Sequence, residues 1–99
     1  MSTTPRLAFI GGGNMAGAIF GGLLWGGWPA ARITVVEPWD EQRGRIAAAR
    51  PGVRLLTTAD ASLREAQIVV WAVKPQSFAE AAAACAPHIG GALQLSVMA

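Results

Sequence analysis

The chain has 99 residues, 53% of them hydrophobic and 14% charged, with a formal net charge of +2. That length allows at most one domain. The composition excludes a disordered segment and is more apolar than a typical soluble domain. A parallel sheet covered on both faces would read this way, as would a fragment whose missing partner covers apolar surface. The basic residues are scattered, with no basic run interleaved with aromatics, which argues against nucleic-acid binding. Cys85 is the only cysteine. It excludes an internal disulfide framework or a Cys-rich metal site and fits a reducing compartment.

In chain order, residues 1–5 read as a loose polar tail. Leu7 to Ile10 is a short apolar run ending at glycine, which predicts a buried strand. Gly11 to Gly13 predicts a turn. Asn14 to Trp25 predicts a helix, with Met15, Ile19, Phe20 and Leu23 at helical spacing, stopped by Gly26 and Gly27. Arg6 and the apolar residues after it resemble a short signal peptide. Asn14 and three glycines interrupt that run, and they also break the roughly 20 apolar residues a membrane helix needs. The expectation is a soluble, cytoplasmic protein.

Ile33 to Val36 predicts a second strand, ended by Glu37-Pro38. Asp40 is expected to cap a helix running to about Arg50, which Pro51-Gly52 breaks. Val53 to Leu56 predicts a third strand, and Asp60 or Ser62 starts a brief helical segment through Ala66. The run "IVVWAV", Ile68 to Val73, is continuous rather than alternating and predicts the central strand. Phe78 to Ala86 predicts an alanine-rich helix ended by Pro87. Leu93 to Val97 predicts a fifth strand, after which only two residues remain, so the chain reads as broken off there. Strands alternating with helices specify an α/β fold with a parallel sheet and helices on both faces.

The first strand runs into "GGGNMA", in which Gly11, Gly13 and Ala16 fit the pattern G-x-G-x-x-G/A. Gly11 lets the chain turn off the strand. Gly13 lets a pyrophosphate approach the backbone, and Ala16 lets the helix sit close to the sheet. The helix N-terminus then offers free N–H groups to phosphate. Gly17 and Gly21 are expected to extend the close-packed face. Glu37 lies 21 residues past Ala16, near the spacing expected of the acid that holds the adenosine ribose. The alternative is a tight turn without a ligand. A carboxylate at position 37 favours NAD, while Arg43 and Arg45 on the next helix are candidates for a 2′-phosphate, so NAD and NADP both stay open.

The segment "AVKPQ", Ala72 to Gln76, follows the fourth strand and falls on the cofactor side of such a sheet. There Lys74 is either a cofactor contact or a solvated strand-end lysine. His88 sits near a helix end with no evident Ser, Cys or second His partner, which argues against a triad or a metal site. Cys85 and Trp71 read as core, and Trp39 as an exposed loop residue, with leaning on adenine as its alternative. No general acid, nucleophile or metal ligand is evident.

Taken together, "RLAFIGGGNMAGAIFGGLL", "VVEP", "IVVWAVKPQ" and "LQLSVMA" resemble the N-terminal half of pyrroline-5-carboxylate reductase, from Arg6 to Ala99. The resemblance implies a Rossmann-type dinucleotide-binding domain over residues 6–99. It implies reduction of 1-pyrroline-5-carboxylate to L-proline with NADPH or NADH, the final step of proline biosynthesis. Ile10, Gly11, Gly12, Gly13, Asn14 and Met15 would hold the pyrophosphate and nearby ribose. Glu37 and Pro38 would border the adenosine ribose, and Ala72, Val73, Lys74 and Pro75 would line the cofactor path. Ser96, Val97 and Met98 would approach the nicotinamide. Two residues depart from the family pattern. Many members carry a small polar residue in place of Glu37, and many carry Asn near the third strand's exit, where this chain reads Ala59.

The family's second half is a helical domain that forms the dimer and much of the substrate pocket. The resemblance therefore implies a homo-oligomer acting on a small molecule, and cofactor binding without turnover for residues 1–99 alone. Two other readings stand beside this one. The first is the nucleotide domain of another imine, hydroxyacid or F420-linked reductase, and the second a non-catalytic NAD(P)-binding module.

Overall fold

A computed structural model describes residues 4–98. Five strands form one parallel sheet: β1 (Leu7–Ile10), β2 (Ile33–Val36), β3 (Arg54–Leu56), β4 (Ile68–Trp71) and β5 (Leu93–Ser96), in the order β3-β2-β1-β4-β5. Three α-helices connect them: α1 (Asn14–Trp25), α2 (Asp40–Ala49) and α3 (Phe78–Ile89). The pairing is level, so Val36, Ile10, Trp71 and Ser96 stand side by side at the carboxyl edge.

Strand β1 divides the interior because successive side chains point to opposite faces. Leu7 and Phe9 join Ile33, Val35, Ala16, Phe20 and Ile46 on the face covered by α1 and α2. Ala8 and Ile10 join Val36, Val69, Trp71, Leu63, Cys85 and Ile89 on the face covered by α3. Each core carries an edge-to-face aromatic pair, Phe9–Phe20 at 5.5 Å and Trp71–Phe78 at 5.1 Å. Such contacts add about 0.5–1.5 kcal/mol beyond their burial. Ala16 is fully buried, as close helix–sheet packing requires.

Several boundaries differ from the sequence reading. The central strand is β1; β4 lies next to it and ends at Trp71, two residues early. The chain leaves the ladder after the Ala72 N–H donates to the Ile10 carbonyl at 2.9 Å. Strand β3 starts at Arg54, and β5 ends at Ser96. Helix α3 continues through Pro87 to Ile89. Ile89 is buried in the second core, and that packing offsets the one helical hydrogen bond proline removes. Asp40 is the first residue of α2 and makes no capping hydrogen bond. The segment after Asp60 is a 3₁₀ turn, Ala61–Glu65, capped by Asp60, whose carboxylate accepts from the Ser62 N–H at 2.8 Å. A hydrogen bond from the Ser62 hydroxyl, and after it the one from the Ser62 N–H, hold the Asp60 carboxyl below its usual range.

In α1, Met15 is 54% exposed and leaves the apolar stripe to Ile19, Phe20 and Leu23. Gly21 faces the Arg50 guanidinium, but Gly17 faces open space, so the close-packed face is shorter than expected. Of the expected tail, residues 1–3 lie outside the described residues. Thr4 is tied down, its carbonyl accepting from Arg32 Nη1 at 3.0 Å. Strand β5 is a sheet edge exposed along its length, with Leu93 and Leu95 59% and 47% exposed. No helix among the described residues is long and apolar enough to cross a membrane.

Candidate functional site

The chain builds β1, β2 and β3 outward in one direction, then returns to the other side of β1 with β4 and β5. The switch point lies between β1 and β4, and its carboxyl end is where open α/β sheets bind ligands. A cleft of about 520 Å³ opens there, within the usual size of ligand pockets.

The glycine turn forms its floor, and each glycine is needed for a different reason. Gly11 has φ +101°, and a Cβ there would stand 2.8 Å from the Ala72 carbonyl oxygen. Its N–H donates to the Val36 carbonyl at 2.8 Å, so the residue after β1 is tied to the end of β2. Gly12 is buried behind the cleft, where a Cβ would stand 2.7 Å from Ile46 Cδ1. Gly13 is exposed at the mouth, and a Cβ there would meet nothing within 4 Å. The fold itself therefore does not require glycine at position 13; the open space lies on the ligand side. Helix α1 starts next to it without a side-chain cap and without an acid in its first turn, leaving its N–H end open to an anion.

The second wall comes from the end of β2. Glu37 is half-buried, and both its carboxylate oxygens are held by backbone. Oε1 accepts from the Gly12 N–H and Oε2 from the Trp39 N–H, each at 3.0 Å. Pro38 and Trp39 continue the rim, and the Arg45 guanidinium lies 5.6 Å from the Trp39 ring centroid. Neither arginine of α2 is directed at a vacant anion site. Arg43 donates to the Asp40 carboxylate and to the Glu37 carbonyl, the latter at 2.9 Å. Arg45 pairs with Glu41 at 2.8 Å. The third wall is formed by Ala72, Val73 and Lys74 after β4, with Ser77 and Glu80 beyond them.

Eight of the residues expected at the site line this cleft: Ile10, Gly11, Gly13, Glu37, Pro38, Ala72, Val73 and Lys74. Gly12 supports it from behind. Asn14 and Met15 are exposed on the first turn of α1, and Pro75 opens a 3₁₀ turn, Pro75–Ser77. Ser96 ends β5, and Val97 and Met98 follow it on the far flank, where the Val97 N–H donates to the Trp71 carbonyl at 2.9 Å. The sequence reading missed Gln42, Thr57, Thr58, Ser77 and Glu80, all of which line the cleft. The exit of β3 is Thr57 and Thr58; Ala59 packs against the second core instead. The switch-point rule applied to β3 as well as β1, β2 and β4 would have found the two threonines.

Cys85 borders the cleft from α3, and burial pushes its thiol pKa up. His88 lies on α3 outside the cleft, its Nδ1 buried without a hydrogen-bond partner among the described residues. No group of three or more potential metal ligands occurs among the described residues.

The sequence matches, over residues 6–99, the family described as NADP oxidoreductase coenzyme F420-dependent. The chain belongs to this family. Its curated relatives include the pyrroline-5-carboxylate reductase of Pseudomonas aeruginosa, 41% identical over 87 residues, which cover 88% of this chain and 32% of that protein. The pyrroline-5-carboxylate reductase of Haemophilus influenzae is 43% identical over 83 residues, covering 82% of this chain and 28% of its own. Among solved structures, a pyrroline-5-carboxylate reductase from Coxiella burnetii superposes with a TM-score of 0.80 at 29% identity, covering 97% of this chain and 36% of that one. The chain thus spans about a third of the length of the relatives it matches.

Proposed function

We propose that the protein is the dinucleotide-binding portion of a pyrroline-5-carboxylate reductase, which reduces 1-pyrroline-5-carboxylate to L-proline at the expense of NADH or NADPH. The observation that carries this reading is the cleft at the switch point. It joins a glycine turn, an uncapped helix N-terminus and a ribose-side carboxylate in a chain 41% identical to a reductase of that name.

The residues fit a dinucleotide. The space at Gly13 admits a pyrophosphate against the backbone, and the first turn of α1 presents N–H groups to it. Glu37 offers acceptors to the adenosine ribose hydroxyls. Asn14 and Met15 would flank the pyrophosphate. Ala72, Val73, Lys74 and Pro75 would guide the cofactor past β4, and Ser96, Val97 and Met98 would meet the nicotinamide end. A bound reduced nicotinamide would supply the hydride taken up by the imine carbon. Residues 6–99 form the cofactor domain in this reading, preceded by a short tail. A helical second half supplies the dimer contacts and much of the substrate pocket. A cytoplasmic location and a homo-oligomeric state go with it.

The test is direct. Residues 1–99 should bind NADH or NADPH but form no proline from 1-pyrroline-5-carboxylate. Proline formation by those residues alone, near a complete reductase's rate, would overturn the division of labour. The family's description favours one second reading, an F420-linked reductase. Transfer of hydride between reduced coenzyme F420 and NADP by the whole protein, without activity on the pyrroline, would establish it instead.

A further inference from the structure

We infer that Glu37 makes this site selective for the dinucleotide that lacks a 2′-phosphate, NADH over NADPH. The inference rests on the cofactor reading above and goes beyond it, since that reading leaves the two open.

The Glu37 carboxylate is fixed where it stands. The Gly12 and Trp39 N–H groups each hold one of its oxygens at 3.0 Å, and turning it away would leave both donors without their acceptor. Each oxygen keeps lone-pair capacity for a ribose hydroxyl. A hydroxyl donates to such a carboxylate, whereas a phosphate can only meet it as a second anion.

Nearby cations do not change that balance. Arg43, whose Nη1 donates to the Glu37 backbone carbonyl at 2.9 Å, is paired with Asp40, and Arg45 with Glu41, each on its own helix. Among the described residues no lysine or arginine forms an ion pair with Glu37. Lys74 also lines the cleft, but it follows β4, and β1 separates β4 from β2. At roughly 4.8 Å per strand spacing, that places the ends of β2 and β4 about 10 Å apart. The Glu37 carboxylate therefore lines the cleft without an ion-pair partner among the described residues.

The experiment is a titration of the protein with NADH and with NADPH, followed by quenching of tryptophan fluorescence. The Kd for NADH should be lower by about tenfold or more, because a positioned like charge discriminates strongly. In Glu37→Gln the amide oxygen still accepts one backbone N–H while the charge is gone, so the ratio should shrink to about threefold or less. ADP-ribose and its 2′-phosphorylated form give the same comparison in the unaltered protein, with ADP-ribose expected to bind more tightly. NADPH binding as tight as or tighter than NADH would overturn the inference and leave the reductase reading standing. So would a reversed order for the two ADP-ribose ligands, or an unchanged ratio in folded Glu37→Gln. Binding of neither dinucleotide would refute the cofactor reading itself, and the inference with it.

Discussion

The Gly12 N–H donates to Glu37 Oε1 at 3.0 Å, while Gln42 Nε2 donates to the Gly12 carbonyl at 2.6 Å, so the middle of the glycine turn is pinned to β2 and α2 on both its polar groups. The turn and the acid that follows β2 form one connected unit. Replacing Glu37 by alanine leaves the N–H of a buried residue without its acceptor. Glu37→Ala should therefore lower unfolding stability by about 1–3 kcal/mol, and Glu37→Gln by less. Urea unfolding followed by circular dichroism checks both.

Gly11 and Gly13 hold different places in the motif and should respond differently to substitution. At Gly11 a Cβ meets the Ala72 carbonyl oxygen at 2.8 Å, in a backbone conformation with φ +101°. Gly11→Ala should cost about 2–4 kcal/mol of stability, from positive-φ strain and displacement of β4's end. A drop in the urea midpoint would show it, and an unchanged midpoint would contradict the geometry.

At Gly13 φ is −75° and no atom lies within 4 Å of an added Cβ. Gly13→Val should therefore cost stability only through the poorer N-cap of α1, about 0.5–2 kcal/mol. It should still weaken NADH binding by about tenfold or more, because the side chain fills the space a pyrophosphate needs. Thermal unfolding and dinucleotide titration of the same sample separate the two effects.

Burial raises the Cys85 thiol pKa above that of the unfolded chain. Over the alkaline range between the two values the folded state holds more protons than the unfolded state, so stability falls as pH rises. The thiol's contribution is complete below the unfolded value and is lost as pH climbs through the folded one. Cys85→Ala should flatten that part of the profile, measured as urea midpoints from neutral to alkaline pH. The parent thiol should also react slowly with iodoacetamide at neutral pH.

Much of the fold was legible because its signals are local. The run Leu7 to Ile10, the β-branched Ile33 to Val36 and the glycine turn announce themselves within a few residues, and their bounds agree with the structure. The misread ends depend on tertiary packing. Pro87 suggests a stop, but the burial of Ile89 carries α3 past it. Ala72 and Val73 look like strand, but the chain leaves the ladder after the Ala72 N–H bonds the Ile10 carbonyl, beside the glycine turn. At the site, Gly11, Glu37 and Lys74 follow from the motif and strand ends. Gln42, Thr57, Thr58, Ser77 and Glu80 do not, because their place on the cleft depends on how α2, α3 and the β3 exit turn toward one another. The engagement of Arg43 and Arg45 by their own helix could not be read from composition either.

The two-sided burial of β1 has a consequence for tolerance to change. All four of its residues are at most 5% exposed, with Leu7 and Phe9 serving one core and Ala8 and Ile10 the other. Shifting the strand by a single step would push Phe9 into the space shaped for alanine and leave a void behind it. Neither layer can melt while the other keeps its packing, because both are built on the same four side chains. The domain should lose its two halves in one event, and β1 should be the stretch least able to accept a new residue at any position.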